Sequence, residues 1–132
     1  MRLTLFIAGS ISFLIVTLLI SANSSSTNNP NARNILSENP DADIIQWGGV
    51  VYQNVSDRDW LPTGYQTGEA IGEIIKKTDR KWFYRDCFAT KLAKGTILYA
   101  NEGSDYQSSE FLSTILVEKG GELLVYQVLV EG

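Results

Sequence analysis

Apolar residues fall along this chain in one long run, followed by several short ones. The long run covers residues 3–20, carries no charge and follows Arg2. An uncharged run of this length behind a basic residue is typical of an export signal or of a membrane-spanning helix. The pattern therefore predicts that residues 1–22 form a signal peptide or a membrane anchor, and that the rest of the protein lies outside the cytoplasm.

Two interpretations of the apolar run stay open. Ala22 and Ser24 form a small-x-small pattern at which a signal peptidase could cut. The run is nevertheless longer than the ~7–15 apolar residues of an ordinary signal peptide, which favours an uncleaved transmembrane helix. The first interpretation predicts a secreted protein and the second a membrane-tethered one.

The pattern changes at residue 23. Residues 23–41 are rich in Ser, Asn and Pro and contain few apolar side chains. Such a composition buries too little surface to offset the entropy of ordering the chain. We expect a disordered linker over 23–41, followed by a single domain over 42–132.

Short apolar runs with β-branched residues fill the domain. Two runs, 44–47 and 50–52, flank Gly48-Gly49, and two more, 111–118 and 122–130, flank Gly120-Gly121. Glycines between β-prone runs are typical of hairpin turns. In the last run both alternating sets are largely apolar, which indicates a central strand covered on both sides.

Two further segments complete the predicted sheet. Residues 70–77 combine the helical spacing of Ile71, Ile74 and Ile75 with Gly72, and we favour a strand with a bulge over a helix. Residues 96–100 predict another strand. The fold class is thus mainly β, a small antiparallel barrel or rolled sheet of about six strands. The expected core members are Ile44, Val50, Tyr52, Ile71, Ile74, Ile97, Tyr99, Ile115, Val117, Val125 and Val128.

Composition narrows the function classes. The chain has 15 acidic and 11 basic residues, a net charge of −4, which disfavours nucleic acid as a partner. It has no histidine, the commonest general base and metal ligand, and its one cysteine cannot form an intramolecular disulfide. We predict no catalytic residue, no metal site and no cofactor.

One segment combines positive charge with aromatic rings. Residues 76–85, which we call the basic–aromatic segment, contain Lys76, Lys77, Arg80, Lys81, Trp82, Phe83, Tyr84 and Arg85. Basic and aromatic side chains together bind anionic glycans, acidic lipid headgroups or a protein partner. In the alternative interpretation, Trp82 and Phe83 cap the core while the charges face water.

Other candidate residues have simpler explanations. Asp57 and Asp59 suit a cation site or an acid–base pair, but equally a solvated turn, and the acidic loop 101–105 lacks calcium-loop spacing. Trp47 and Trp60, with Tyr52 and Tyr65, suit either a ligand groove or the core. Cys87 has no histidine to activate it, so a buried structural cysteine is favoured over a nucleophile.

Several short motifs resemble a group of known proteins. They are Asp43-Ile44-Ile45, Gly49-Val50-Val51-Tyr52, 68–74, Ala89-Thr90-Lys91-Leu92, 95–99, 115–118 and 129–132. Together they resemble small exported proteins of Gram-positive bacilli, some of which are lipoproteins. The resemblance implies an extracytoplasmic single domain and no catalytic residue. The lipid-attachment cysteine of some of these proteins is missing after the apolar run.

The predicted function is a non-enzymatic binding module at the cell envelope. Its partner would be a protein or an envelope polymer, and an uncleaved N-terminal segment would add contact with the membrane. One alternative is a small carboxylate-dependent hydrolase of envelope glycans, with Glu69 or Glu73 in an apolar setting as the acid. The other is an inhibitor or immunity-like protein, which the sequence does not separate from the first.

Overall fold

A computed structural model describes residues 29–104 and 112–130, and within them one sheet of eight strands curls into an open half-barrel. A short helix, α1 (Ala32–Glu38), precedes the sheet. The strands are β1 (Ile44–Trp47), β2 (Val50–Asn54), β3 (Thr67–Glu73), β4 (Lys76–Lys77), β5 (Phe88–Ala89), β6 (Ile97–Asn101), β7 (Thr114–Lys119) and β8 (Glu122–Val128). Their order across the sheet is β3-β6-β7-β8-β2-β1-β5-β4. The prediction of mainly β structure is confirmed, with eight strands in place of about six.

Both predicted glycine hairpins are present. Gly48 (φ 62°) and Gly49 (φ 82°) join β1 to β2, and Gly120 (φ 59°) and Gly121 (φ 82°) join β7 to β8. Two successive left-handed residues twist the chain in the sense that antiparallel strands need, and glycine adopts them without a steric cost. Local sequence therefore fixed these two turns.

The segment around Gly72 is a strand, as predicted, but this strand ends at Glu73, and Lys76–Lys77 form a separate strand at the other end of the strand order. β3 pairs with β6 and carries register shifts between Thr67 and Ala70 and between Ala70 and Gly72. A Cβ at Gly72 would lie 3.3 Å from Nε1 of Trp47, so the glycine lets the indole pack closely against the strand.

The sheet is covered on both faces, and alternate residues along a strand enter different clusters. Ile45, Tyr52 and Tyr126 belong to the main core, whereas their neighbours Ile44 and Val51 pack with α1. Leu116 and Val125 form a third cluster against the loop that follows β2. β8 lies between β7 and β2, which confirms the predicted central strand.

The predicted core is partly correct. Ile44, Tyr52, Ile74, Ile115, Val117 and Val125 are buried, whereas Val50, Ile71, Ile97, Tyr99 and Val128 are half-buried. The prediction omitted Ile45, Leu116 and Tyr126, which are completely buried. It expected a strand covered on both sides only in the last run, whereas α1 and the loop after β2 also cover the second face of β1, β2 and β7.

The structure differs from the predicted disordered linker, because α1 lies inside residues 23–41. The Asn31 side chain caps the helix by accepting a hydrogen bond from the Asn34 backbone N–H at 2.8 Å. Ala32 and Leu36 lie on one face and are buried against the sheet. An apolar pair four residues apart is enough to dock one helical turn on a sheet face, although the overall composition of the segment is polar.

The predicted signal peptide or anchor over 1–22 lies outside the described residues, as do residues 23–28 of the linker. No helix in 29–104 or 112–130 is long and apolar enough to cross a membrane.

Candidate functional site

The basic–aromatic segment lies at the edge of the sheet. It begins in β4, the edge strand, and continues through the loop that returns the chain to β5. β4 and β5 are parallel, the one such pair among the described strands, so the chain must cross from one end of β4 back to the start of β5. The loop that makes this crossing spans residues 78–87.

The base of this loop is fixed by backbone hydrogen bonds. The Cys87 N–H donates to the carbonyl of Gln46 at 2.6 Å, and the Ile75 N–H donates to the carbonyl of Cys87 at 2.8 Å. A carboxylate oxygen of Asp86 accepts from the backbone N–H of Gly49 at 3.0 Å. The loop is thus fastened to β1 and to the β1–β2 turn.

Tyr84 holds the middle of the loop. Its hydroxyl donates to the carbonyl of Thr78 at 2.8 Å, and its ring packs edge-on against Phe88 with centroids 5.5 Å apart. Burial, and to a smaller extent the charge of Asp79, raise the pKa of Tyr84. Tyr84 is therefore a structural part of the segment.

Trp82 and Phe83 form the tip of the loop. Trp82 is 58% exposed and Phe83 88% exposed, so neither caps the core. Phe83 also has a positive φ of 61°, a left-handed conformation that costs a non-glycine residue about 1–2 kcal/mol. The alternative interpretation of the segment, a core-capping loop, is wrong for these two residues.

Cations surround the tip. The guanidinium of Arg33, from α1, lies 4.9 Å from the centroid of the Trp82 ring, and Nζ of Lys81 lies 5.9 Å from it. Lys81 also donates to the Ser37 hydroxyl at 3.2 Å. Arg33 is a member of the site that the sequence did not reveal, because only docking of α1 places it there.

The cations of the segment form no ion pair in the described chain, although Asp79 lies within the segment and Asp86 follows Arg85. Within residues 29–104 and 112–130, the one ion pair joins Arg58 and Asp57 at 3.6 Å. Lys76, Lys77, Arg80 and Arg85 are exposed, and Lys81 is half-buried. An acidic protein therefore presents a local cluster of cations that is available for external anions.

Two clefts flank the tip and share Trp82 and Phe83. The first, of about 560 Å³, lies on the α1 side and is also lined by Asn31, Arg33 and Lys81. The second, of about 480 Å³, lies beside β4 and β5, with the lining residues Ile75, Lys76, Thr78, Arg80, Arg85 and Phe88. The aromatic pair thus forms a ridge between two cation-lined depressions.

The acidic candidates lie in exposed positions. Asp57 and Asp59 are exposed, and the Asp57–Arg58 pair matches the interpretation of a solvated turn. In the described part of the chain, no group of three or more Cys, Asp or Glu side chains could hold a metal ion. Glu69 and Glu73 are exposed on β3, so the apolar setting expected for a hydrolase acid is contradicted.

The four aromatic residues proposed for a groove do not line a common groove. Trp47 packs edge-on against the buried Tyr52, with centroids 6.4 Å apart, and Tyr65 packs on the third cluster. Trp60 alone of the four is highly exposed, at 58%. Cys87 is half-buried and has a positive φ of 67°, so the expected full burial is not found.

Of the acidic loop 101–105, the last residue lies outside the described chain. The Asn101 side-chain oxygen accepts from the Gln66 N–H at 3.1 Å, and Glu102 donates its N–H to the Gln66 carbonyl at 2.7 Å. These bonds fasten the start of the loop to the residues before β3, which is a structural role.

Comparisons with known proteins assign no family to this chain. A scan against protein-family models, a search of curated proteins and a search of solved structures each found no match. The resemblance to exported proteins of Gram-positive bacilli stays a prediction, and function must be inferred from the residues described above.

Proposed function

We propose that this protein is a non-enzymatic binding module of the cell envelope, which holds an anionic partner on its basic–aromatic segment. The observation that carries the proposal is the exposed ridge of Trp82 and Phe83 among cations that form no ion pair in the described chain. Exposed aromatic rings are characteristic of binding surfaces, and unpaired cations select a negatively charged partner.

The exposure of the candidate acidic side chains supports binding over hydrolysis. A general acid that works near neutral pH needs apolar surroundings to keep its proton. Glu69 and Glu73 are both in contact with solvent, and Asp57 and Asp59 lie in an exposed turn. The inhibitor or immunity-like alternative is a special case of the same proposal, in which the anionic partner is a protein.

Support for an extracytoplasmic location comes from sequence. Arg2 precedes the uncharged run 3–20, a pattern that exports the chain that follows. The proposed partners are therefore components that face the outside of the cytoplasmic membrane.

Site-specific photo-crosslinking in intact cells tests the proposal. Benzoylphenylalanine would replace Phe83 in the full chain. A matched variant would carry it in place of Trp60, which is also exposed but lies outside the basic–aromatic segment, next to Asp57 and Asp59. We expect adducts with an envelope component from position 83 and few from position 60, together with digestion of the protein by protease added outside the cells. Absence of adducts at position 83, or full protection from external protease, overturns the proposal.

A further inference from the structure

The chemistry of the tip identifies the class of partner. Phe83 has no hydrogen-bonding group in its side chain and is 88% exposed, and Ile75, which lines a cleft beside it, is 55% exposed. Such side chains gain free energy only by leaving water for an apolar medium. Trp82 adds an indole, which prefers the region between lipid headgroups and acyl chains.

The ring faces of the tip argue against a sugar polymer. A glycan would stack on free faces of Trp82, yet one face of this indole is occupied by the guanidinium of Arg33 at 4.9 Å. An Arg–Trp pair instead suits a membrane interface, where the ring enters the bilayer and the cation remains at the headgroups. The geometry therefore favours lipid over glycan.

The charges are placed to meet headgroups. Lys76, Arg80 and Arg85 line one cleft beside the ridge, and Arg33 and Lys81 line the other. Cations on both sides of an apolar ridge attract anionic lipids while the ridge inserts, a combination typical of peripheral membrane binding.

The backbone conformation of Phe83 also indicates a binding role for the tip. Phe83 has a left-handed φ of 61°, a conformation that only glycine adopts without a steric cost. Its ring makes little contact with the rest of the protein and is 88% exposed. Strain that brings no internal packing is characteristic of binding sites.

The position at which the described chain begins also fits a tip that faces the membrane. Asn31 and Arg33 line the same cleft as Trp82, so the described chain begins beside the tip. Residues 21–30 can span at most ~3.6 Å each. If residues 3–20 form an anchor, that tether keeps the tip close to the bilayer, and two weak attachments together give stable membrane contact.

From these observations we infer that the partner is the anionic surface of a phospholipid bilayer, into whose interface Trp82 and Phe83 insert. This inference rests on the proposed function and specifies its ligand. The domain binds with its sheet edge, β4 and the loop after it, facing the lipid.

Tryptophan quenching by lipids with brominated acyl chains tests the inference on the full chain. The three tryptophans are Trp47, Trp60 and Trp82, and none lies in residues 1–28, so the N-terminal segment adds no signal. Trp60 is a matched control, because it is also 58% exposed but lies beside Asp57 and Asp59. In vesicles that contain phosphatidylglycerol, we expect quenching in wild type and Trp60→Phe, and its loss in Trp82→Phe.

A second pair of variants tests the charges. Lys76→Glu/Arg80→Glu/Arg85→Glu removes the cations of one cleft, and Lys91→Glu/Lys94→Glu/Lys119→Glu makes the same change in net charge at other exposed lysines. We expect quenching of Trp82 to fall to the level of pure phosphatidylcholine vesicles in the first variant and to stay near wild type in the second. Added salt should reduce the wild-type signal, because it screens exposed charges.

The outcomes separate the inference from the proposed function. Crosslinks from position 83 to a wall polymer or protein, with no quenching of Trp82 by brominated lipid, overturn the lipid inference and leave the binding module intact. Equal quenching with and without phosphatidylglycerol also contradicts the inference, because the cations would then have no role. Loss of both signals overturns both.

Discussion

At the scale of single residues, buried polar groups in this protein have partners. Among the described residues no buried side-chain nitrogen or oxygen lacks a hydrogen bond. Thr90 is an example, since it is buried and its hydroxyl joins the chain after β5 to the start of β1. Its hydroxyl accepts from the Ile44 N–H at 3.0 Å and donates to the Ala42 carbonyl at 2.7 Å.

Thr90→Val should therefore destabilise the fold although it preserves shape. The substitution leaves a buried N–H and a buried carbonyl without partners, each of which costs about 1–3 kcal/mol. Urea unfolding measures the change, and Thr63→Val, at an exposed position, is the control. A similar free energy of unfolding for both variants would contradict the structural role of Thr90.

Two buried tyrosines predict a dependence of stability on alkaline pH. Burial raises the pKa of Tyr52 and of Tyr126 above the ordinary value of 10.0, and the hydrogen bond to Asp43 at 2.7 Å raises that of Tyr126 further. Above pH 10.0 the unfolded chain releases protons that the folded chain retains. Because the unfolded state then binds fewer protons, the free energy of unfolding falls as pH rises.

Urea unfolding at pH values on both sides of 10.0 measures this fall. Tyr126→Phe removes one of the groups, so above pH 10.0 its free energy of unfolding should decline less steeply than that of wild type. A stability that does not change across this range would show that neither tyrosine keeps its proton in the folded state.

At the scale of elements, α1 shows that a polar segment can contribute to the core. The helix has only seven residues, too few to be stable alone in water. Its stability comes from Ala32 and Leu36, which pack against Ile44 and Val51 of the first hairpin. Docking of α1 also brings Arg33 to Trp82, so this element links packing to the candidate site.

Leu36→Ala tests whether α1 is docked. The side chain is buried, and we expect a loss of about 2–5 kcal/mol in the free energy of unfolding. Ile35→Ala, at a neighbouring half-buried position, should cost less. Equal, negligible effects would show that the segment is a free linker. Hydrogen exchange at the Ile35 and Asn39 amides, which are bonded within the helix, gives an independent measurement.

At the scale of the whole molecule, the fold separates stability from the proposed binding site. The three core clusters hold the buried side chains, whereas Trp82 and Phe83 are exposed and belong to none of these clusters. A strained, exposed Phe83 is therefore a local cost that the rest of the fold tolerates. Variants of the ridge should change binding without unfolding the domain.

Phe83→Gly should raise stability and weaken binding together. Glycine removes the steric cost of the left-handed conformation, although its greater freedom when unfolded offsets part of the gain, so we expect a net gain of at most about 1 kcal/mol. Thermal unfolding and the vesicle assay measure the two effects. Phe83→Ala is the control, because it removes the ring but keeps the strain. Unchanged vesicle binding in both variants would contradict a role for the ring.

The strands and turns of this fold were accessible from sequence because their signals are local. Gly48-Gly49 and Gly120-Gly121 between β-prone runs predicted both hairpins, and the apolar character of 122–130 predicted a central strand. The basic–aromatic segment was also predicted as a candidate site. The prediction merged β4 with β3 into one strand over 70–77 and missed β5, because a two-residue strand has no periodicity of its own and exists only through pairing with its neighbours.

What sequence alone determined is thus the mainly β class, the hairpins, and the position of an unusual cluster of cations and rings. The tertiary structure alone decided which aromatic residues are inside and which are outside. Trp47 and Tyr52 pack in the sheet, whereas Trp60, Trp82 and Phe83 face solvent, although all are similarly apolar in sequence. It also decided that Arg33 lies on Trp82. The geometry of a turn depends on adjacent residues, so the sequence predicts it. The burial of a side chain and the contact between α1 and the loop depend instead on strand order and on the docking of α1 against the sheet, which involve residues far apart in the chain.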